Sequence, residues 1–254
     1  MIILAGAVLG AIIGSFVAAL VIRWPRGEGV TGGRSRCDAC GETLRARELV
    51  PVLSYLVQRG RCRRCGARID ARHPLVELAG ALIGVAAVLA HPLPLALVTA
   101  GLGWWLLATA AIDAEEQWLP DALTLPLVPL GLVAAWAGFG PPLLDRLVGA
   151  VAGGLGLALL GWIYRALRAR EGLGGGDPKL LAGIGAWLGL LQLPFVLLGA
   201  GLVGLAAALA LVARGRAVGA TTRLPLGALM AVAAWPLWIL SAGNNSAAIH
   251  LYLL

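Results

Sequence analysis

Long apolar runs separated by short polar connectors dominate the chain. The runs cover 1–22, 75–112, 122–164, 180–213 and 224–242. A helix needs about 20 residues to cross a bilayer's hydrocarbon core, so the outer two runs supply one span each and the middle three supply two each. Every middle run holds residues suited to a turn. His91-Pro-Leu-Pro94 divides the first, Gly138-Phe-Gly-Pro-Pro142 the second and Pro194 the third, because proline removes a helix donor. The pattern predicts an all-α polytopic membrane protein of about eight transmembrane helices. The third hairpin is tightest, at roughly 17 residues per span. Residues 1–22 form the first span, 23–73 a polar loop domain, and 74–254 the remaining membrane domain.

Composition agrees with this outline. The 254 residues are 59% hydrophobic and 13% charged, with mean hydropathy +0.87, which excludes an ordinary soluble domain. The formal charge of +7 does not point to nucleic acid, because the basic residues are clustered rather than spread over a soluble face. Twelve of the twenty lie between Arg23 and Arg72; Arg165, Arg168, Arg170 and Lys179 form a second group, and Arg214, Arg216 and Arg223 a third. Eight spans put all three groups on one side, and the positive-inside rule makes that side the cytoplasm, with lipid as the constant partner. Arg146 alone falls on the other side, beside Asp145. Residues 1–22 are not read as a signal peptide, since Arg23 and Arg26 follow the run instead of preceding it.

All four cysteines fall in the polar loop, as Cys37-Asp-Ala-Cys40 and Cys62-Arg-Arg-Cys65 with 21 residues between the pairs. Gly41 and Gly66 follow the pairs. Two matched C-x-x-C knuckles are the pattern of a tetrahedral Zn²⁺ site with every position filled by protein, hence structural. Two disulfides, or four unlinked thiols, are the alternative; a reducing compartment disfavours the disulfides. Arg61, Arg63 and Arg64 are expected to favour thiolates. The apolar segment Leu49–Val57 between the pairs is expected either to pack on the zinc unit or to lie at the membrane surface, with Tyr55 suited to an interface.

Two carboxylates abut apolar runs. Asp113 follows Leu106–Ile112, and Asp177 stands in Gly174-Gly-Gly176-Asp177-Pro178-Lys179. Ionisable groups at such positions are functional candidates. The topology puts both on the cytoplasmic side at one depth. If they meet, they share one proton: one carboxylate activates a water while the other donates to a carbonyl, the chemistry of hydrolysis. Gly174 and Gly176 would let the backbone approach a substrate, and Lys179 either supports Asp177 or reaches for the surface. Asp121, after Pro120, reads as a helix cap, and Glu115 and Glu116 as solvated charges. No Ser/His/Asp set competes, since His91 and His250 fall outside the cytoplasmic side.

These residues resemble the type IV prepilin peptidases, a family of G-x-G-D membrane aspartyl proteases. The likeness runs through Gly14-Ser15-Phe16, both cysteine pairs, Pro51–Leu56, Arg59-Gly-Arg-Cys62, Pro74–Leu78 with Glu77, Ile112-Asp113, Leu119-Pro-Asp121, and Gly172–Leu180. The resemblance implies that 74–254 is an aspartyl protease domain with Asp113 and Asp177 as its catalytic pair. Its substrates would be prepilin or pseudopilin precursors, cleaved on the cytoplasmic side after a glycine. Members with the cysteine loop often also methylate the new N-terminus from S-adenosylmethionine, a cofactor implied by the resemblance only. Glu115 stands where many members carry Asp, and Arg223-Leu-Pro-Leu-Gly227-Ala is a weakened form of a family segment. A zinc-bearing scaffold of a pilus or secretion machine, or an ion-coupled transporter, would be the alternatives. A scaffold has no need of two boundary aspartates, and a transporter predicts ion uptake that depends on Asp113.

Overall fold

The computed structural model describes residues 1–252 apart from 31, 33, 171, 218 and 220–223, so Arg223 of the third basic group lies outside the described residues. The apolar runs all become helix, and no strand forms among the described residues. In chain order the helices are α1 Ile2–Arg23, α2 Leu53–Val57, α3 Arg72–Ala90, α4 Leu95–Glu116, α5 Asp121–Thr124, α6 Leu127–Trp136, α7 Leu143–Arg168, α8 Asp177–Leu188, α9 Leu193–Ala213 and α10 Leu226–Tyr252.

The expected turns separate α3 from α4 and α6 from α7. The third hairpin breaks earlier than expected. Gly189, at φ 78°, ends α8, and Pro194 sits in the first turn of α9, where a missing N–H costs nothing. The 12-residue α8 is therefore shorter than the span expected there. Among the described residues, six helices are long and apolar enough to cross a membrane: α1, α3, α4, α7, α9 and the part of α10 up to Gly243. Asp121–Trp136 is a shorter apolar helical stretch. The chain is a multi-pass membrane protein.

The structure divides into two compact units, Met1–Ala108 and Thr109–Leu254. In the first, α1 and α3 pack along glycines spaced four apart: Gly6, Gly10 and Gly14 on one, Gly80 and Gly84 on the other. A Cβ on Gly14 would come within 2.7 Å of the Glu77 backbone. Small residues at this spacing let two membrane helices approach backbone to backbone, which supplies the dispersion contacts that lipid cannot. Trp104 of α4 donates its indole N–H to the Gly80 carbonyl at 2.9 Å.

In the second unit the short α8 is the innermost element. Leu180, Leu181, Ile184, Ala186, Trp187 and Leu188 are all buried. Gly149 and Gly153 of α7 and Gly131 of α6 let those helices close on it. Trp187 donates to the Leu127 carbonyl at 3.0 Å and meets Trp238 of α10 edge to face at 5.3 Å.

Arg146 explains itself here. Its side chain is fully buried and donates to the carbonyls of Pro141 (3.0 Å), Gly131 (2.6 Å) and Phe139, with Trp238 beneath at 5.5 Å. It donates to carbonyls of the α6–α7 turn and to one within α6. The one basic residue that departs from the charge pattern is an interior brace, not a topology signal.

Candidate functional site

The loop between α1 and α3 is built from two copies of one small knuckle. In each, the first cysteine's N–H bonds a carbonyl five residues on (Cys37 to Glu42 at 2.9 Å, Cys62 to Ala67 at 2.8 Å). Each is closed by the glycine N–H returning to the first cysteine's carbonyl at 2.9 Å. Gly41 and Gly66 both hold φ 71°, a left-handed turn that L residues rarely adopt. The short bridges Arg36–Thr43 and Arg61–Arg68 frame the pairs identically.

The knuckles bring the Sγ atoms of Cys37, Cys40, Cys62 and Cys65 within 4.8 Å of one another, with Cys37 and Cys65 4.0 Å apart. Tetrahedral zinc with Zn–S of about 2.3 Å sets its sulfurs roughly 3.8 Å apart, so four thiolates gathered this closely fit the ion. The Cys62 thiol is drawn down to about 7 by the backbone N–H groups of Cys65 and Arg64. Two of the three guanidinium groups expected to do this pair elsewhere, Arg63 with Glu48 at 2.9 Å and Arg64 with Glu42 at 2.7 Å, while Arg61 reaches the Gly66 carbonyl at 3.5 Å.

The segment between the pairs forms α2, with Leu53, Leu56 and Val57 exposed. Of the two expectations for it, the outward-facing side chains agree with a surface position. Tyr55 turns inward, so that a Cβ on Gly60 would meet its hydroxyl at 2.9 Å. Glu77 of α3, buried in the same unit, accepts the Val52 N–H at 2.7 Å.

The two aspartates both lie in the second unit. Asp113 is one turn inside the C-terminal end of α4 and 5% exposed; Asp177 opens α8 and is 6% exposed. Asp113 Oδ2 accepts the Ala228 N–H at 2.7 Å, so the first turn of α10 aims its unpaired donors at this carboxylate. Asp177 Oδ2 accepts the Gly174 N–H at 2.9 Å, while the Asp177 N–H returns to the Gly174 carbonyl at 3.2 Å. That reciprocal pair closes the glycine turn and fixes the side chain. Leu119 links the two positions. A Cβ on Gly176 would lie 2.5 Å from Leu119 Cβ, and one on Gly227 would lie 2.7 Å from Leu119 Cδ1 and 3.0 Å from Asp113 Oδ2.

Lys179, expected either to support Asp177 or to reach for the surface, is exposed and donates to Asp121 Oδ1 at 2.6 Å. One expectation needs correcting: Asp121 is no helix cap. Pro120 occupies the cap position of α5, and the Asp121 side chain makes no cap bond. Both partners of this ion pair are exposed. Glu115 and Glu116 are exposed, as expected of solvated charges. Gly174 and Gly176 do meet the Asp177 turn, the first as its donor and the second as the close contact with Leu119.

The backbone donor at Ala228 and the packing of Gly227 were not identified from sequence as belonging with Asp113. The signal available was Pro225-Leu-Gly227-Ala at the start of the last apolar run, where a helix N-terminus exposes its N–H groups.

Comparison with known proteins identifies the family. Residues 8–91 match the bacterial Peptidase A24 N-terminal domain, and residues 100–209 match the type IV leader peptidase family. A prepilin leader peptidase/N-methyltransferase of Pseudomonas putida is 39% identical over 252 residues, covering 90% of this chain and 87% of the relative. A type 4 prepilin-like proteins leader peptide-processing enzyme of Escherichia coli O78:H11 is 39% identical, covering 86% of each chain. A prepilin leader peptidase/N-methyltransferase of Burkholderia pseudomallei is 50% identical over 185 residues, 72% of this chain but only 60% of that relative's own length. No solved structure matches the chain. The chain belongs to the type IV leader peptidase family.

Proposed function

We propose that the protein is an aspartyl endopeptidase of the bacterial inner membrane, with its zinc loop and catalytic carboxylates on the cytoplasmic side. It removes the leader of prepilin or pseudopilin precursors after a glycine and methylates the new N-terminus. The observation that carries this reading is the pair of buried carboxylates, Asp113 and Asp177, each held by a backbone N–H and linked through Leu119. The names of its relatives support the substrate class and the second activity.

The chemistry follows from the geometry. Neighbouring carboxylates resist double ionisation and hold one proton between them. The ionised member takes a proton from a water, which attacks the scissile carbonyl. The protonated member donates to that carbonyl oxygen as the tetrahedral intermediate forms. Burial keeps bulk water from diluting the interaction. The bonds from Ala228 and Gly174 hold each carboxylate in one orientation, which is what positioning a water requires. Either Asp→Asn change removes one partner, and processing of a co-expressed precursor in membranes tests the assignment.

In the loop, Cys37, Cys40, Cys62 and Cys65 would hold Zn²⁺ as a structural ion. A loop with little core of its own gains its fold from such a centre. S-adenosylmethionine, when bound, supplies the electrophilic methyl group for the second activity. A transporter reading would require ion uptake lost on Asp113→Asn, and a scaffold reading would leave processing unchanged by it.

A further inference from the structure

Leu119 has no group that can take part in hydrolysis, yet its side chain reaches both carboxylate positions and is only 8% exposed. A short, constrained connector puts it there. Residues 117–120 alone separate α4 from α5. Gln117 takes φ 49°, a left-handed conformation uncommon for a residue with a side chain. Pro120, at φ −62°, precedes α5, and its carbonyl accepts the Leu123 and Thr124 N–H groups at 2.9 and 3.1 Å. Between these two fixed points Leu119 is buried, while its neighbour Trp118 stays 46% exposed.

Two backbone segments press against this side chain, the starts of α8 and α10, and both do so with glycine. A Cβ on Gly176, the residue before Asp177, would lie 2.5 Å from Leu119 Cβ, and one on Gly227, beside Asp113, would lie 2.7 Å from Leu119 Cδ1. Real Cβ atoms essentially never come within 3.0 Å of another heavy atom. Leu119 supplies the nearest atom at both positions, so it is Leu119 that forbids a side chain there.

A peptide cleaved by the carboxylate pair is a third segment brought to the same wall. Its scissile carbonyl must come within about 3 Å of the donating carboxyl and of the water held by the other. The residue that owns this carbonyl is therefore carried up to Leu119, under the limit that Gly176 and Gly227 already obey.

We propose that Leu119 determines specificity at the residue preceding the cleaved bond, admitting a bare glycine backbone and rejecting a Cβ. The proposal rests on the reading of the chain as a peptidase that cleaves after glycine, and assigns that preference to one side chain. Glycine offers a binding site nothing to hold, so it is selected by excluding every larger residue. An apolar wall anchored on both sides does this without adding a charge or a hydrogen bond to the catalytic pair.

The test uses the full chain in isolated membranes and precursors carrying Gly, Ala or Val before the cleaved bond. The quantity read is the ratio of the Ala to the Gly cleavage rate. Wild-type protein should cleave the Gly precursor about 10-fold faster than the Ala precursor or better, the size of one methyl clash, with Val slower still. Leu119→Ala should raise the Ala-to-Gly ratio by about 10-fold, Leu119→Val should raise it less, and Trp118→Ala should leave it at the wild-type value. Because a ratio is independent of the amount of folded protein, a merely structural role for Leu119 would not move it. If Leu119→Ala does not accumulate, Leu119→Val carries the test. An unchanged ratio in a Leu119 variant that cleaves the Gly precursor would overturn the proposal, as would a Leu119→Val protein that cleaves nothing or an equal rise in Trp118→Ala. Wild-type protein that cleaves Gly and Ala precursors equally would overturn it too, and each of these results leaves the peptidase reading standing. Wild-type membranes that cleave no precursor overturn both.

Discussion

Gly227→Ala is the most informative single-atom perturbation of the proposed proteolytic site. The added Cβ would lie 2.7 Å from Leu119 Cδ1 and 3.0 Å from Asp113 Oδ2, where ordinary contact needs more than 3.4 Å. Neither neighbour has room to retreat, since Leu119 is 8% and Asp113 5% exposed. Overpacking of this kind costs about 1–3 kcal/mol, which a well-packed membrane unit survives. The carboxylate, however, must shift by several tenths of an ångström or loosen its bond from Ala228. Misplacement approaching 1 Å costs about 100-fold in rate, so precursor cleavage should fall by about 10- to 100-fold while the protein still inserts. Gly156→Ala, on α7 with open space around its Cβ, is the matched control and should be neutral. Time courses of precursor processing in isolated membranes, normalised to protein level, read the effect. Wild-type cleavage by Gly227→Ala, alongside an inactive Asp113→Asn, would refute the claim that this contact positions Asp113.

Three further outcomes follow from the geometry. Arg146→Met should destabilise the second unit by about 3 kcal/mol or more, because at least two buried carbonyls lose their donor at roughly 1–3 kcal/mol each; thermal unfolding in detergent measures it, and a loss below 1 kcal/mol would contradict the brace. Lys179→Met breaks an exposed pair with Asp121 and should cost no more than about 1 kcal/mol, with cleavage within about threefold of wild type. A catalytic collapse in that variant would return Lys179 to the Asp177 site. Protein stripped of metal should bind zinc more tightly as pH rises through 7: the Cys62 thiol, drawn down to about 7, then no longer has a proton to lose on binding, and affinity unchanged between pH 6 and 8 would argue against thiolate ligation.

What could be read in advance was local. The cysteine knuckles repeat a motif within six residues, so spacing alone announced them. The hairpin breaks at His91–Pro94 and Gly138–Pro142 follow from residues that cannot continue a helix. The misread features depend on partners distant in sequence. Asp121 looks like a cap beside Pro120 until Lys179, 58 residues on, claims its carboxylate. Arg146 looks like a topological exception until carbonyls of α6 and of the α6–α7 turn surround it. Asp113 meets the Ala228 N–H across 115 residues, a contact no hydrophobic period encodes. The span expected at α8 runs past its true end because Pro194 is the more evident helix breaker, whereas Gly189 ends the helix.

The central claim is that Asp113 and Asp177 act together on one peptide bond. Its most direct measurement is the N-terminal mass of a co-expressed precursor, in membranes carrying the wild-type protein, Asp113→Asn or Asp177→Asn at equal levels. Wild-type membranes should yield a mature N-terminus beginning after the leader's glycine, and each substituted protein should leave the precursor at full length. Mature N-termini appearing at the wild-type rate with either substitution would contradict the account.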